Sequence, residues 1–268
     1  MKQTILITGA SSGFGKETVK LFHQKGWNVV ATMRTPDGSF ADLDNVLVAR
    51  LDVTDKASIA SAVAAAVERF GGIDVLVNNA GYGTLGALEA ASDTVIRDQF
   101  EVNVFGLIEM TRAVLPGMRA RRSGVIVNVS SIGGRVTFPY CTLYHATKFA
   151  VEGLTESLQY ELNPFGIRLK IVEPGGYKTN FAGRSMGFYG VGEVAEYKAP
   201  FEKLLAAVEH WPMSENIGEV ADVIFEAATD GSERLRYLSG HETGALMETR
   251  RQLDDVAFKK AITAQMGI

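Results

Sequence analysis

Tyr144 and Lys148 stand four residues apart in the stretch Tyr-His-Ala-Thr-Lys. On a helix this spacing puts both side chains on one face, about one turn from each other. A free tyrosine titrates near pH ~10 and is a poor acid or base at neutral pH. An ammonium beside it favours the phenolate, so such a pair can pass a proton to or from an oxygen. The same spacing arises by chance on many helices, and its meaning depends on what stands upstream. Ser131, thirteen residues before Tyr144, offers a hydroxyl to an oxygen on which charge changes; a turn residue is the plainer reading. Asn103, in Val102-Asn-Val-Phe105, is a polar residue in an apolar helical stretch, where a satisfied buried amide is the plainer reading. His145 is adjacent to Tyr144, but neighbouring helical residues do not share a face, which argues against a catalytic histidine. Cys141 either lines a pocket or fills apolar space, and filling is the simpler role.

A second set of residues suits a dinucleotide. Thr8-Gly9-Ala10-Ser11-Ser12-Gly13-Phe14-Gly15 follows a short apolar run directly. Its glycines permit a tight turn, close approach to a pyrophosphate, and helix–strand packing. The helix that follows adds amide donors and a partial positive charge. The spacing is G-x-x-x-G-x-G rather than G-x-G-x-x-G. In Ala31-Thr-Met33-Arg34, Met33 stands where an acid would take the adenosine ribose hydroxyls, and Arg34 follows it. A guanidinium suits a 2′-phosphate, which favours NADP. Asp37 nearby keeps NAD open. In Asp52-Val53, Asp52 either accepts from an adenine amino group or holds a turn or helix end. Asn78-Asn79-Ala80-Gly81 needs a backbone that comes close to the cofactor.

These residues fall at the ends of apolar runs that alternate with helical patterns, the mark of stacked βαβ units. The runs predict strands at Thr4–Thr8, Asn28–Met33, Val46–Leu51, Val75–Asn78, Gly124–Ser130, Arg168–Glu173 and Arg234–Leu238. The first six read as buried on both faces, whereas the seventh alternates and suits a sheet edge. Helices are predicted at Gly13–Lys25, Asp55–Phe70, Thr94–Arg122 and Thr142–Leu162, with Pro116 bending the third or marking its last turns. Residues 181–212 are rich in Gly, Met and aromatics, and read either as a substrate lid or as core. No repeat or linker divides the chain, so residues 1–268 read as one domain.

Composition excludes several classes. Charged residues are 22% and the net charge is −4, with no basic stripe of the kind a nucleic acid needs. Arg119, Arg121 and Arg122 fit a solvated helix end. One cysteine permits no internal disulfide, and four scattered histidines give no metal-ligand spacing. The start is a short apolar strand rather than a signal peptide, and no apolar run spans a membrane. These features read as cytoplasmic.

The chain resembles the short-chain dehydrogenase/reductase family, in its simple-length branch. The resemblance rests on Thr8-Gly9…Gly13-x-Gly15, Asp52, Asn78-Asn79-Ala80-Gly81, Asn103, Ser131, Tyr144-x-x-x-Lys148 and Pro174-Gly175…Thr179, all in the family's order. Ala31-Thr-Met-Arg34, Tyr82-Gly-Thr-Leu-Gly-Ala-Leu-Glu89 and Glu173-Pro-Gly-Gly-Tyr-Lys-Thr179 are most similar to the 17β-hydroxysteroid dehydrogenase type 1-like and retinol dehydrogenase-like group. Two positions depart from common patterns. Ser12 stands where many NADP-dependent members carry a basic residue, and Tyr177 where many have a small β-branched one.

The resemblance implies an α/β fold: a Rossmann-like, doubly wound parallel sheet of about seven strands flanked by helices. It implies an oxidoreductase that interconverts a carbonyl and an alcohol with NADP or NAD. Tyr144 is then the acid/base and Ser131 hydrogen-bonds the substrate oxygen. Lys148 lowers the tyrosine pKa and binds the nicotinamide ribose, and Asn103 holds a water that links Lys148 to solvent. Gly9, Ser11, Ser12, Gly13, Phe14, Gly15, Arg34, Asp52, Val53, Asn79, Ala80, Gly81, Tyr144, Lys148, Pro174, Gly175, Tyr177 and Thr179 line the cofactor, with Thr179 on the carboxamide. The resemblance also implies a homodimer or homotetramer, paired through the helices read at 94–122 and 142–162. The aromatic segment at 181–212 argues for an apolar substrate. A dinucleotide-sensing protein without catalysis is the competing reading, and the retained Asn103, Ser131, Tyr144 and Lys148 argue against it.

Overall fold

The apolar runs of the sequence become seven parallel strands of one sheet in the computed structural model, which describes residues 2–178, 186–190, 192–209, 211 and 213–267. The strands are β1 (Thr4–Ile7), β2 (Asn28–Met33), β3 (Val46–Arg50), β4 (Val75–Asn78), β6 (Gly124–Val129), β7 (Ile167–Pro174) and β9 (Arg236–Ser239). Their order is β3-β2-β1-β4-β6-β7-β9, so the direction of winding reverses beside β1. Two short strands, β5 (Gly83–Leu85) and β8 (Met186–Phe188), form a separate parallel pair that the sequence does not announce.

Alternation explains why the central runs are apolar throughout. Ile5 and Ile7 of β1 point to one face with Val29 and Ala31, against Val19 and Phe22 of α1 (Gly13–Gln24) and Val220 and Ile224 of α7 (Gly218–Thr229). Leu6, Val30, Leu76 and Ile126 point to the other face. There they meet Ile59 and Ala66 of α2 (Lys56–Phe70) and Met110, Val114 and Met118 of α4 (Leu107–Arg121). Both faces are covered, as a parallel sheet requires.

Strand β3 departs from the expectation that six strands are buried on both faces. It lies at the sheet edge, and its last four residues are half-buried or exposed. The opposite edge is β9, whose alternating exposure fits the sequence reading.

The single helix expected over 94–122 is interrupted. It forms α3 (Asp93–Phe100), a π-helical stretch at Glu101–Gly106, and α4. Asn103 sits in the π-helical stretch, where local widening re-aims side chains. Pro116 lies inside α4 without ending it. Helix α5 (Thr142–Leu162) has the expected limits.

Beyond β8 the chain adds α6 (Ala195–Glu209), then α7, α8 (Thr243–Gln252) and α9 (Asp255–Met266). With Leu85, Ile132 and Val136, the helices α6, α8 and α9 build a third apolar cluster that includes Phe201, Leu204, Met247, Phe258 and Ile262. Tyr189 and Phe201 of the aromatic segment are buried, which is the core reading, whereas Phe188 is 54% exposed. Residues 181–185, 191, 210 and 212 of the expected lid lie outside the described residues. No described helix is long and apolar enough to cross a membrane.

Candidate active site

The carboxyl ends of β1, β4, β6 and β7 meet on one side of the sheet, next to the reversal of winding, where open α/β sheets bind ligands. Thr8 organises this edge. Its hydroxyl donates to Val77 O at 3.3 Å and accepts from the amides of Asn79 and Ala80, each at 3.0 Å. The Asn79 side chain in turn donates to Thr8 O at 2.8 Å and Gly9 O at 3.2 Å. Asn79 therefore holds the shape of the glycine turn. Thr8 belongs to the glycine motif in sequence, but its residue type carries no sign of this lock.

The turn fits a pyrophosphate. Gly9 has φ +69°, and a Cβ there would lie 3.0 Å from the Ala80 Cα and 3.1 Å from the Asn79 amide nitrogen. A Cβ at Gly15 would collide with Gly9 O and the Asn79 amide. Ser12 is the N-cap residue of α1 but makes no side-chain cap hydrogen bond, and no acidic side chain stands in the first turn. The amides and positive pole of α1 are thus left for an anionic ligand. Ser11 is exposed beside them.

Among the other cofactor candidates, the side chains divide into those that face out and those that pack. Met33 is 2% exposed and lies in the first core cluster, so Arg34, which is exposed, is the polar end of β2. Asp52 accepts from Thr54 N at 3.0 Å and Thr54 Oγ1 at 2.8 Å, the turn role. Burial raises its carboxyl, but these hydrogen bonds and the charges of Arg34 and Arg50 outweigh it and hold it below the usual range. The Val53 side chain is buried in the second core cluster. Phe14 packs edge-on against Tyr177 at 5.4 Å. The Tyr177 hydroxyl lies 2.7 Å from Ser239 Oγ and donates to Glu219 at 3.1 Å. Phe14 and Tyr177 therefore offer a ligand backbone rather than side chain. Pro174 ends β7, and Gly175 N donates to Ser239 O at 2.8 Å. Thr179 lies outside the described residues.

The chemistry-bearing residues come together at the start of α5. Lys148 Nζ donates to Val129 O, the end of β6, at 2.9 Å, and lies 5.7 Å from the centre of the Tyr144 ring. Ser131 follows β6 and accepts from Gly133 N at 3.0 Å. The Ser131 hydroxyl also hydrogen-bonds the Tyr144 phenol. Asn103 reaches the same place from the π-helical stretch. Its Oδ1 accepts from Tyr82 N at 3.0 Å, and its Nδ2 donates to Tyr82 O at 2.8 Å and Thr147 Oγ1 at 3.1 Å. A Cβ on Gly81 would lie 3.1 Å from Asn103 Oδ1 and 4.0 Å from Lys148 Nζ, so Gly81 sits between them. The Asn103 side chain is thus a satisfied buried amide that ties the loop after β4 to α5. Thr147, its partner on α5, was not foreseen: a lone threonine between Tyr144 and Lys148 carries no signal of its own.

The electrostatics correct one expectation. Burial pushes the Tyr144 phenol up to about 12, and the Ser131 hydrogen bond opposes this. Burial also pushes Lys148 down to about 8, opposed by the charge of Glu152. Desolvation at the start of α5 thus outweighs the lowering of the tyrosine expected from Lys148. The phenol remains a proton donor at neutral pH. Cys141 packs against the third apolar cluster, and burial pushes its thiol up to about 12, which fits the filler reading.

Comparison with known proteins places these features. The family model described as short chain dehydrogenase matches residues 3–186. An uncharacterised oxidoreductase of Schizosaccharomyces pombe is 40% identical over 88% of this chain and 100% of its own length. The 3-ketodihydrosphingosine reductase of Bacteroides thetaiotaomicron is 42% identical over 77% of this chain and 76% of its own. Human retinol dehydrogenase 8 is 40% identical over 71% and 64%. Among solved structures, a short-chain dehydrogenase of Streptomyces avermitilis has a TM-score of 0.82 at 35% identity, covering 100% of this chain and 98% of that one. ElxO with NADP bound has a TM-score of 0.75 at 28% identity, covering 91% and 100%. A Burkholderia phymatum short chain dehydrogenase/reductase in complex with NAD has a TM-score of 0.80 at 27% identity, covering 96% and 95%. With this glycine turn, this sheet order and these matches, the chain belongs to the short-chain dehydrogenase/reductase family and is a nicotinamide-dinucleotide oxidoreductase.

Proposed function

We propose that the protein is an NADP-dependent oxidoreductase that interconverts a carbonyl and a secondary or primary alcohol on an apolar small molecule. The observation that carries this reading is the hydrogen-bonded Ser131–Tyr144 hydroxyl pair, with Lys148 one turn away, in a chain whose first turn accepts only glycine at Gly9 and Gly15. Ser131 donates to the substrate oxygen, and Tyr144 gives it a proton as it becomes an alkoxide. Lys148 places a cation beside the phenol and holds the nicotinamide ribose hydroxyls. Asn103 fixes the loop that carries Gly81 next to Lys148 and serves a water path to it. Gly9, Ser11, Ser12, Gly13 and Gly15 hold the pyrophosphate, Arg34 the 2′-phosphate, Asp52 the adenine, and Thr179 the carboxamide. When bound, the cofactor supplies or accepts the hydride. Alcohol oxidation reverses the proton path.

Apolar substrates are favoured because Ile132 of the third apolar cluster follows Ser131 directly. NADP is favoured over NAD because Arg34 is exposed and Met33 is not. We further read residues 1–268 as one cytoplasmic domain with a lid at 181–212. It pairs as a homodimer or homotetramer through α3–α4 and α5, where Phe105 is 50%, Phe149 44% and Tyr160 80% exposed.

The test is oxidation of NADPH, with NADH as control, against a panel of ketones, aldehydes and quinones. Tyr144→Phe should lower kcat by about 100-fold or more, because general acid catalysis contributes ~10²–10⁴. NADPH affinity should stay within a factor of about two, since the phenol hydroxyl is assigned to the substrate oxygen. Near-full turnover in this variant would overturn the acid/base assignment.

A further inference from the structure

We infer that His145 is a positioning residue that sets the Ser131 hydroxyl through Gly133. The inference rests on the reading of Ser131 as donor to the substrate oxygen. His145 follows Tyr144 on α5, with its ring centre 5.9 Å from that of Tyr144, and is 5% exposed. Its Nδ1 lies 2.7 Å from Gly133 O, and Phe138 N donates to its Nε2 at 2.9 Å. A carbonyl only accepts and an amide N–H only donates. The ring is therefore neutral, with its proton on Nδ1 and a bare Nε2. Both ring nitrogens are engaged, one at each end of the segment from Gly133 to Phe138.

The clamp reaches Ser131 through one residue. Gly133 accepts from His145 on its carbonyl side and donates to Ser131 Oγ, at 3.0 Å, on its amide side. A hydroxyl has one proton to give. With Gly133 N–H fixed on its oxygen, the Ser131 proton is free to point at Tyr144. The competing acceptor, Pro174 O, is kept at 3.5 Å, the outer limit of a hydrogen bond. The space is tight. A Cβ on Gly133 would lie 2.8 Å from His145 Nδ1 and 3.4 Å from Ser131 Oγ.

The far end of the clamp belongs to the apolar wall. Phe138 packs against Trp211 at 5.6 Å and against the third cluster. His145 therefore sets two things from one ring: the Ser131 hydroxyl through Nδ1, and the position of Phe138 through Nε2. The two nitrogens have separable consequences. Loss of the Nδ1 donor affects the chemical step, and loss of the Nε2 acceptor affects how the substrate is held.

The test replaces the nitrogens separately and measures kcat and KM with NADPH and the fastest compound of the carbonyl panel. Melting temperature and NADPH affinity are measured alongside. His145→Leu removes both contacts, and kcat should fall by about 10–100-fold, the cost of misplacing a reacting group by a fraction of an ångström or more. His145→Asn keeps a donor for Gly133 O and should recover most of kcat while KM stays raised. His145→Gln keeps an acceptor for Phe138 N and should show the reverse: low kcat and a KM near wild type. Gly133→Ala, which displaces the ring and the hydroxyl together, should copy the kcat loss. A purely structural histidine would lower melting temperature and activity alike in Asn and Gln, without this split. If His145→Leu does not fold, the Asn/Gln comparison decides. Wild-type kcat in the Gln variant, with Ser131→Ala inactive, would overturn the role of His145 alone. Full turnover in Ser131→Ala would instead overturn the reading of Ser131 on which it depends.

Discussion

Arg34 shows how far a single residue can be argued. It stands at the end of β2, exposed, where the neighbouring Met33 is turned into the core. No carboxylate from β2 can therefore take the ribose hydroxyls in its place. A guanidinium on a 2′-phosphate makes charge-assisted hydrogen bonds, worth ~1.5–3 kcal/mol, or roughly 10–100-fold in binding. Arg34→Asp should raise KM for NADPH by about that factor and leave KM for NADH within a few-fold. An unchanged ratio of the two would refute the phosphate role. Ser131, Tyr144 and Lys148 could be named from the sequence because each lies within a recognisable spacing. Thr8 and Thr147 could not, because what matters in them is a hydrogen bond to a distant strand or helix. Their residue type alone is ordinary.

At the scale of elements, the back of the site is braced by a buried ionic group. Glu173 of β7 is 1% exposed and Glu152 of α5 is 6% exposed. Arg135 reaches Glu173 at 3.0 Å, and Arg236 of β9 lies 2.9 Å from Glu152 and 3.5 Å from Glu173. The group ties β7, β9 and α5 together one turn below Lys148. Burial, and then the charge of Glu152, push the Glu173 carboxyl above the usual range, and the two arginines only partly oppose this. A carboxyl raised in the folded state binds more protons than in the unfolded chain. Its stabilising contribution is full below the unfolded value near ~4.3 and is lost as pH rises through the folded value. Urea midpoints of the wild type should therefore fall between about pH 5 and pH 8, and Glu173→Gln should flatten that fall. An equally steep fall in the variant would exclude Glu173 as its source. The π-helical stretch is the other element the sequence hid. Apolar periodicity joins 94–122 into one helix, and only the Asn103 bonds to Tyr82 and Thr147 show why the helix widens where it does.

For the whole molecule, both sheet faces and most apolar side chains are already covered within one chain. Among the described residues, the exposed exceptions Val67, Leu88, Phe188, Leu238 and Val256 are scattered, whereas three aromatics lie on the helices at 94–122 and 142–162. Phe105, Phe149 and Tyr160 are large and exposed, and all lie on segments read as a subunit interface. A carboxylate at the centre of such a face typically costs ~2 kcal/mol or more, at least about 30-fold in dissociation constant. Phe149→Glu should shift the mass measured by light scattering after size exclusion toward the monomer, without lowering the melting temperature of the isolated chain. A wild-type protein that is already monomeric, or a variant with unchanged mass at low concentration, would remove this face from the assembly.

Local pattern alone was enough to place the seven strands of the main sheet, α1, α2 and α5, the glycine turn, and the candidate set of Ser131, Tyr144 and Lys148. These depend on local periodicity and on fixed spacings, which a linear chain states directly. Long-range packing was needed to settle that β3 is an edge strand, that the helix breaks at Asn103, that α6, α8 and α9 join one apolar cluster with Ile132, and that desolvation raises Tyr144. Packing also brought the His145 ring between Gly133 O and Phe138 N, contacts that its place beside Tyr144 in the chain does not announce. Each of these depends on distant residues meeting: an amide and a hydroxyl, a ring nitrogen and a carbonyl, or a charge and the low-dielectric interior around it. Such meetings are fixed by packing, and no local pattern in the chain records them.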